Sequence, residues 1–220
     1  MKAREAVTGI GMTSERTRMR MIEMLRTEGI TDERVLGAMA EMPRHLFVDE
    51  GIASRAYEDV ALPIGHGQTI SSPTIVAMMT QLLLEKQPVA KVLEVGTGCG
   101  YQTAVLARLV KEVYTLERIA PLMDKARRHL RGLRFYNIRY KHVDGHGGYP
   151  EGAPYDGILI AASATHVPEA LKQQLAIGGR MVLPVGVEDQ WLYVIDRTEA
   201  GFTERRGAAV RFVPLVNGLA

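Results

Sequence analysis

Apolar positions along this chain follow helical spacing up to about residue 87 and alternate between strand and helix patterns beyond it. Between Thr13 and about Glu28, Met21, Ile22 and Leu25 share one side of a segment otherwise rich in Arg and Glu, and Gly29 closes it. Asp32 can cap a second helix that turns Val35, Leu36 and Met39 inward before Pro43 stops it. A third helix starts at Ser72-Pro73, an N-cap followed by proline at the first helical position. It runs to about Leu84, with Ile75, Met78, Met79 and Leu82 at helical spacing, and these methionines are expected in the core. Residues 1–12 carry little pattern and are expected to form a loose tail.

After Gln87-Pro88 short strands are expected over 91–95, 113–117, 138–143, 157–162 and 181–185. Helices are expected between them from Gly100 to about Val110, over 121–130, and over 168–175, the last closed by Gly178-Gly179. The linker 144–154 contains Gly145, Gly147, Gly148 and Gly152. Two further strands, 191–196 and one within 204–214, follow without a helix, across a turn at Glu199-Ala200-Gly201. Strand–helix alternation implies a parallel sheet covered by helices, and the closing hairpin adds antiparallel strands at one edge. The fold expected is therefore α/β: a doubly wound, mostly parallel, seven-stranded Rossmann-like sheet over 88–220 with a terminal antiparallel hairpin. A helical N-terminal part over 13–87 precedes it, and the whole of 1–220 is read as one domain. Five parallel strands with a terminal hairpin resemble the sheet of S-adenosylmethionine-dependent methyltransferases.

Charge and composition narrow the classes. A formal net charge of +2 is too mild to imply a nucleic-acid partner. Lys125, Arg127, Arg128, Arg131 and Arg134 crowd one segment, and a solvated helix face is the reading preferred over a nucleic-acid patch. The single cysteine, Cys99, allows no internal disulfide and fits a reducing compartment. It lies in a glycine-rich loop with no obvious base nearby, so a small loop side chain is preferred to a nucleophile. No apolar run approaches the ~20 residues of a membrane span, and the N-terminus has no apolar leader segment. The chain is read as cytoplasmic, without a membrane partner.

Candidate chemistry gathers at the ends of the expected parallel strands. Val92-Leu93-Glu94-Val95 runs into Gly96-Thr97-Gly98-Cys99-Gly100, and a helix follows. Such a loop brings backbone close to a ligand with a helix N-terminus behind it, although an ordinary strand-to-helix turn would look similar. Tyr101 stands where a dinucleotide fingerprint has its third glycine, which favours a nucleoside cofactor without a pyrophosphate. Glu117 ends the next strand roughly 20 positions on, where an acidic residue meets ribose hydroxyls. Asp144-Gly145 ends the third strand, where a carboxylate can accept from an amino group such as that of adenine. Glu94 is open to contact with the cofactor's ammonium, to a water-mediated role or to a structural one. His142-x-Asp144-x-His146 has the look of a metal cluster, but no further ligands support it and no metal is expected.

The stretch 61–73 combines Pro63, Pro73, Gly65, Gly67, Ser71 and Ser72 with apolar Leu62, Ile64 and Ile70. A surface loop carrying so many apolar residues is expected to fold back onto the body. Together, Pro43-Arg44-His45-Leu46-Phe47-Val48, the 61–71 loop, 95–103 and Val210-Arg211-Phe212-Val213-Pro214-Leu215 resemble the protein-L-isoaspartate O-methyltransferases, closest to the bacterial form. The resemblance covers essentially everything after residue 12, and the 61–71 loop is its specific part. It implies methyl transfer from S-adenosylmethionine to the free α-carboxylate of isoaspartyl residues in damaged proteins and peptides. The ester then closes to a succinimide, whose hydrolysis returns some normal aspartate. The family's active-site serine maps to Ser71, and its acidic cofactor contacts to Glu117 and Asp144-Gly145. The cofactor is then expected among Gln68, Thr69, Ile70, Ser71, Glu94, Gly96, Thr97, Gly98, Gly100, Glu117, Asp144 and Gly145. Leu62, Pro63 and Ile64 would form a peptide-facing lip, and the backbone of Val210, Arg211 and Phe212 would hold an extended substrate, unless 210–215 is simply the last strand. Val143 departs from the glycine common at that place. Methyltransferases acting on RNA or a small molecule share the glycine loop but leave 61–71 unexplained.

Overall fold

A computed structural model describes residues 9–86 and 88–220; the expected tail up to residue 8, and Gln87, lie outside these. Two amphipathic helices open the chain, α1 (Glu15–Thr27) and α2 (Glu33–Glu41). Ser14 caps α1 by accepting from Thr17 N, and Asp32 caps α2 by accepting from Arg34 N, so each side chain satisfies one N–H left free in the first turn. Their buried stripes carry Met21, Ile22 and Leu25, and Val35, Leu36 and Met39. A 3₁₀ turn at Arg44–Phe47 and a second at Glu50–Arg55 lead to a hairpin of β1 (Leu62–Gly65) and β2 (Gln68–Ile70). That segment reads as a loop in sequence because each strand is so short. Its turn is His66-Gly67, both at positive φ, the conformation a tight antiparallel hairpin requires.

α3 (Pro73–Leu84) follows, and its buried face is rotated from the one expected. Val76, Met79, Thr80 and Leu83 are buried, whereas Ile75, Met78 and Leu82 are half-buried against the same core. The helix is apolar on nearly every side, so periodicity alone could not orient it. Ser72 occupies the N-cap position but makes no side-chain cap; Asp59 Oδ1 accepts from Thr74 N at 2.8 Å instead.

The central sheet has the order β5-β4-β3-β6-β7-β8-β9. Its strands are β3 (Lys91–Val95), β4 (Glu112–Glu117), β5 (Ile138–His142), β6 (Tyr155–Ile160), β7 (Leu175–Val185), β8 (Gln190–Thr198) and β9 (Gly201–Val210). The first five are parallel and the last two join as an antiparallel meander. α4 (Tyr101–Leu109) and α5 (Ala120–Gly132) join α1–α3 in one hydrophobic core against a face carrying Val92, Val113, Leu159 and Val182. The other face, with Leu93, Leu116, Ile158 and Met181, is covered by the short α6 (Glu169–Lys172) and by Tyr149 of the 144–154 linker.

Two boundaries differ from expectation for local reasons. The helix expected over 168–175 is only α6, and β7 starts at Leu175. Gly178 and Gly179 do not end a helix; they form an irregularity inside β7, where Tyr155 pairs with Leu175 but Gly157 pairs with Arg180. Gly178 has φ 83, and a side chain at Gly179 would meet the carbonyl oxygens of Ala176, Tyr155 and Asp156 at 2.9–3.1 Å. At the C-terminus β9 ends at Val210, so 211–215 is not its continuation. The chain turns back there over the carboxyl ends of the parallel strands and bridges Ser163 through Pro214. Among the described residues, no helix is long and apolar enough to cross a membrane.

Candidate active site

β3 lies between β4 and β6, the switch point of a doubly wound sheet, where strands diverge and leave a crevice at their carboxyl ends. The glycine loop leaves β3 into that crevice. Gly96 N and Thr97 N both donate to Leu116 O, at 2.9 and 3.1 Å, which ties the loop to the end of β4. Glu117 braces it from the same side: its carboxylate accepts from Gly98 N at 2.8 Å and from Ile119 N at 3.0 Å. A carboxylate has about four acceptor positions, so Glu117 keeps capacity toward a hydroxyl in the crevice. Gly145 closes the floor, where a Cβ would lie 2.3 Å from Val95 Cγ1.

Across from this wall lies the β1–β2 hairpin, with Ile64 Cδ1 resting 3.3 Å from where a Gly98 Cβ would stand. The space between is a cleft at the carboxyl ends of the strands. Gly96, Thr97, Gly98, Glu117 and Gly145 line one side of it, and Gln68, Thr69, Ile70 and Ser71 the other. A second cleft adjoins it, lined by Ser71, Ser72, Asp59 and Arg211. Thr69, Ser71 and Phe212 line both, so Ser71 sits at the junction of the two spaces.

The remaining expected residues lie elsewhere. Gly100 is the N-cap of α4, at φ 91, behind the loop. Glu94 is fully buried inside β3 and does not line the cleft. Its Oε2 accepts from Thr103 Oγ1 at 2.5 Å and Thr115 Oγ1 at 2.6 Å, while Oε1 has no partner, and burial raises the carboxyl to about 7. Of the sequence alternatives, this placement matches a structural one. Asp144 does not line the cleft, although its neighbour Gly145 does; it accepts from His146 N and His146 Nδ1 on Oδ1 and from Gly218 N on Oδ2. Burial pushes its carboxyl up, but these bonds outweigh it and hold the group at about 2. Val143 turns toward the second core face and not into the cleft. His142 Nε2 meets Arg118 O, and among the described residues no cluster of His, Cys, Asp or Glu is arranged to hold a metal ion.

The acceptor side needs two corrections. Leu62 and Ile64 are buried at 2% and 4% exposure and only Pro63 is exposed, because alternation along β1 turns its apolar residues inward. Of the three residues expected to form a lip, only Pro63 is therefore on the surface. Phe212 N donates to Gln190 Oε1 at 2.6 Å and Phe212 O accepts from Gln190 Nε2 at 3.1 Å, so this residue's backbone is already satisfied. Val210 pairs with Gln190 in the sheet and lines neither cleft, whereas Arg211 lines the second one.

Sequence reading missed two features. Residues 211–220 form a strap: Leu215 N donates to Ser163 O, Gly218 N to Asp144, and Ala220 N to Arg118 O, so the strap visits the ends of β6, β5 and β4 in turn. The other is Arg44, fully buried, whose Nε and Nη2 donate to Ala56 O and Ser71 O, each at 2.7 Å. Its only sequence signal was its place in the Pro43–Val48 motif.

A parallel sheet of this order, with a glycine loop and an acid-ended β4 at its switch point, defines the architecture of the S-adenosylmethionine-dependent methyltransferases. Comparison with known proteins narrows the class. Residues 16–220 match the family model described as protein-L-isoaspartate(D-aspartate) O-methyltransferase. A protein-L-isoaspartate O-methyltransferase of Methylobacillus flagellatus is 58% identical over 97% of each chain, and one of Dechloromonas aromatica is 58% identical over 96% of this chain and 98% of its own. A Plasmodium falciparum structure described as a putative protein-L-isoaspartate O-methyltransferase, in complex with S-adenosyl-L-homocysteine, aligns with TM-score 0.79 at 27% identity, covering 90% of this chain and 98% of that one. The chain belongs to the protein-L-isoaspartate(D-aspartate) O-methyltransferase family.

Proposed function

We propose that this chain works as one methyltransferase domain, moving the methyl group of S-adenosylmethionine to the free α-carboxylate of L-isoaspartyl residues in damaged proteins and peptides. The single observation that carries the residue assignment is the position of Ser71 where the cleft beside the glycine loop adjoins the second one. The first cleft suits a nucleoside cofactor, with its floor cleared by Gly145 and with the Glu117 carboxylate beside the glycine loop. When bound there, S-adenosylmethionine supplies an activated methyl group on a sulfonium. Gly96, Thr97, Gly98, Glu117 and Gly145 would hold it from the sheet, and Gln68, Thr69 and Ile70 from the hairpin side, leaving the Ser71 hydroxyl to the acceptor.

The acceptor is itself an ionised carboxylate at neutral pH and a sufficient nucleophile, so no side chain has to remove a proton. What the protein must do is align the acceptor and exclude water, and orientation of this kind can contribute on the order of 7–11 kcal/mol. Ser71 donates its hydroxyl to the acceptor carboxylate, and Arg211 and Phe212 form the peptide-facing wall. A cytoplasmic location fits the lone thiol, Cys99, which is buried and pushed up to about 11 by that burial. The test is transfer of labelled methyl to an isoaspartyl peptide beside its normal aspartyl twin. Labelling of the isoaspartyl form alone is expected, and labelling of RNA with neither peptide labelled would overturn the reading.

A further inference from the structure

Behind the acceptor cleft lies a buried charge that the chemistry above does not use. Arg44 reaches the Ala56 and Ser71 carbonyls, and its guanidinium carbon lies 4.8 Å from the centre of the Tyr101 ring. It enters no ion pair among the described residues, and its Nη1 has no hydrogen-bond partner. Arg18, buried at 7% exposure nearby, also has its Nε and Nη1 without partners. The carboxylate acting on Arg44 is Asp59, whose Oδ1 already accepts from Thr74 N.

A buried cation with no carboxylate in ion-pair contact is unfavourable, and two carbonyl hydrogen bonds alone do not explain why a charged group is kept there. Its position offers the explanation. Ser71 lines both clefts, and Tyr101, the first residue of α4, lines the one beside the glycine loop. Arg44 lines neither, but it links the two by bonding the Ser71 carbonyl and lying on the Tyr101 ring. An anion brought by the acceptor is the partner that this charge lacks.

We infer that Arg44 is a positioning residue for the methyl acceptor: it fixes Ser71 through its carbonyl, and its uncompensated charge makes the adjoining cleft select an ionised carboxylate over a neutral isostere. Both tasks suit arginine, whose planar fork holds two carbonyls while its face lies on an aromatic ring. A buried guanidinium bonded to Ser71 favours an anion over a neutral group in the clefts that Ser71 lines.

The test uses the full chain loaded with S-adenosylhomocysteine, titrated calorimetrically with an isoaspartyl peptide and with the same peptide bearing an α-carboxamide. For the wild type, a preference for the carboxylate of at least 10-fold is expected, and a preference under 2-fold overturns the inference. Arg44→Gln should lose most of that preference and raise KM for the isoaspartyl peptide about 10-fold, with S-adenosylhomocysteine affinity within about 2-fold of wild type. Arg44→Lys keeps the charge but not both carbonyl bonds, so it should keep the preference and lower kcat several-fold. A wild-type preference in Arg44→Gln, or a wild-type kcat in Arg44→Lys, overturns the inference, and if Arg44→Gln does not fold, the lysine variant and the wild type still decide. The inference rests on the acceptor reading above. Binding of neither peptide to the wild type would sink that reading, whereas equal binding of both would sink this one alone.

Discussion

The wall proposed for the cofactor draws Gly96, Thr97, Gly98, Glu117 and Gly145 from the ends of three neighbouring parallel strands, and backbone N–H groups of the loop donate to Leu116 O and to the Glu117 carboxylate. The side proposed for the acceptor draws Arg44 from a 3₁₀ turn, Ser71 from the end of a hairpin and Phe212 from a strap that returns after the last strand, and side chains hold these parts together. A wall built from strand ends has little room to adjust, because each loop is placed by the register of the sheet. A wall built from distant segments can change one contact at a time. Substitutions in the first should therefore act on folding and cofactor affinity together, and those in the second on turnover.

The largest effect is expected at Gly145. In Gly145→Ala the new methyl would overlap Val95 Cγ1, and a well-packed strand cannot yield without cost, typically about 1–3 kcal/mol for overpacking. S-adenosylhomocysteine affinity should fall by up to about 150-fold, or the protein should unfold at markedly lower denaturant; calorimetry with an unfolding curve would show a tolerant floor if neither occurs. Next is Glu117→Ala, which strips the acceptors from Gly98 N and Ile119 N. Leaving such donors unsatisfied costs about 1–3 kcal/mol, so cofactor affinity should fall about 10- to 100-fold while kcat at saturating cofactor changes little. Parallel loss of kcat would mean that the two walls are not separable.

Glu94 gives a smaller, pH-dependent effect. Its carboxyl is raised from 4.5 to about 7 in the folded protein, so the native state binds the extra proton between those values. Stability from this group is full below about pH 4.5 and is lost as pH rises through 7, by on the order of 3 kcal/mol. Denaturant unfolding of the ligand-free protein should show that slope, and Glu94→Gln should flatten it; an unchanged slope would place the titrating group elsewhere. The smallest effect concerns the start of α3. Asp59→Ala should cost about 1 kcal/mol by removing the cap on Thr74 N, whereas Ser72→Ala should cost under about 0.5 kcal/mol. The reverse order would restore Ser72 as the cap.

This difference between the walls also explains what could be read from sequence. Strand register and the glycine loop are local patterns, so the parallel sheet and the Gly96–Gly98, Glu117 and Gly145 set were visible as residue types at fixed spacing. Ser71 came only through a family resemblance. Arg44 stood out only as part of the Pro43–Val48 stretch, because nothing local signals that a charge will be buried under a hairpin and an aromatic ring. The strap escaped because Val210–Leu215 alternates as a strand would, and only the contacts to Ser163 and Asp144 show that it leaves the sheet. Leu62 and Ile64 suggested a lip because the shortness of β1 hid its alternation.

Ser71→Ala tests the division of labour most directly. Turnover toward an isoaspartyl peptide and affinity for S-adenosylhomocysteine should be measured on the same preparation. A fall in kcat of about 10-fold or more, with affinity within about 2-fold of wild type, is the expected result. Unchanged turnover, or a loss of affinity as large as the loss of rate, would contradict the placing of Ser71 on the acceptor side.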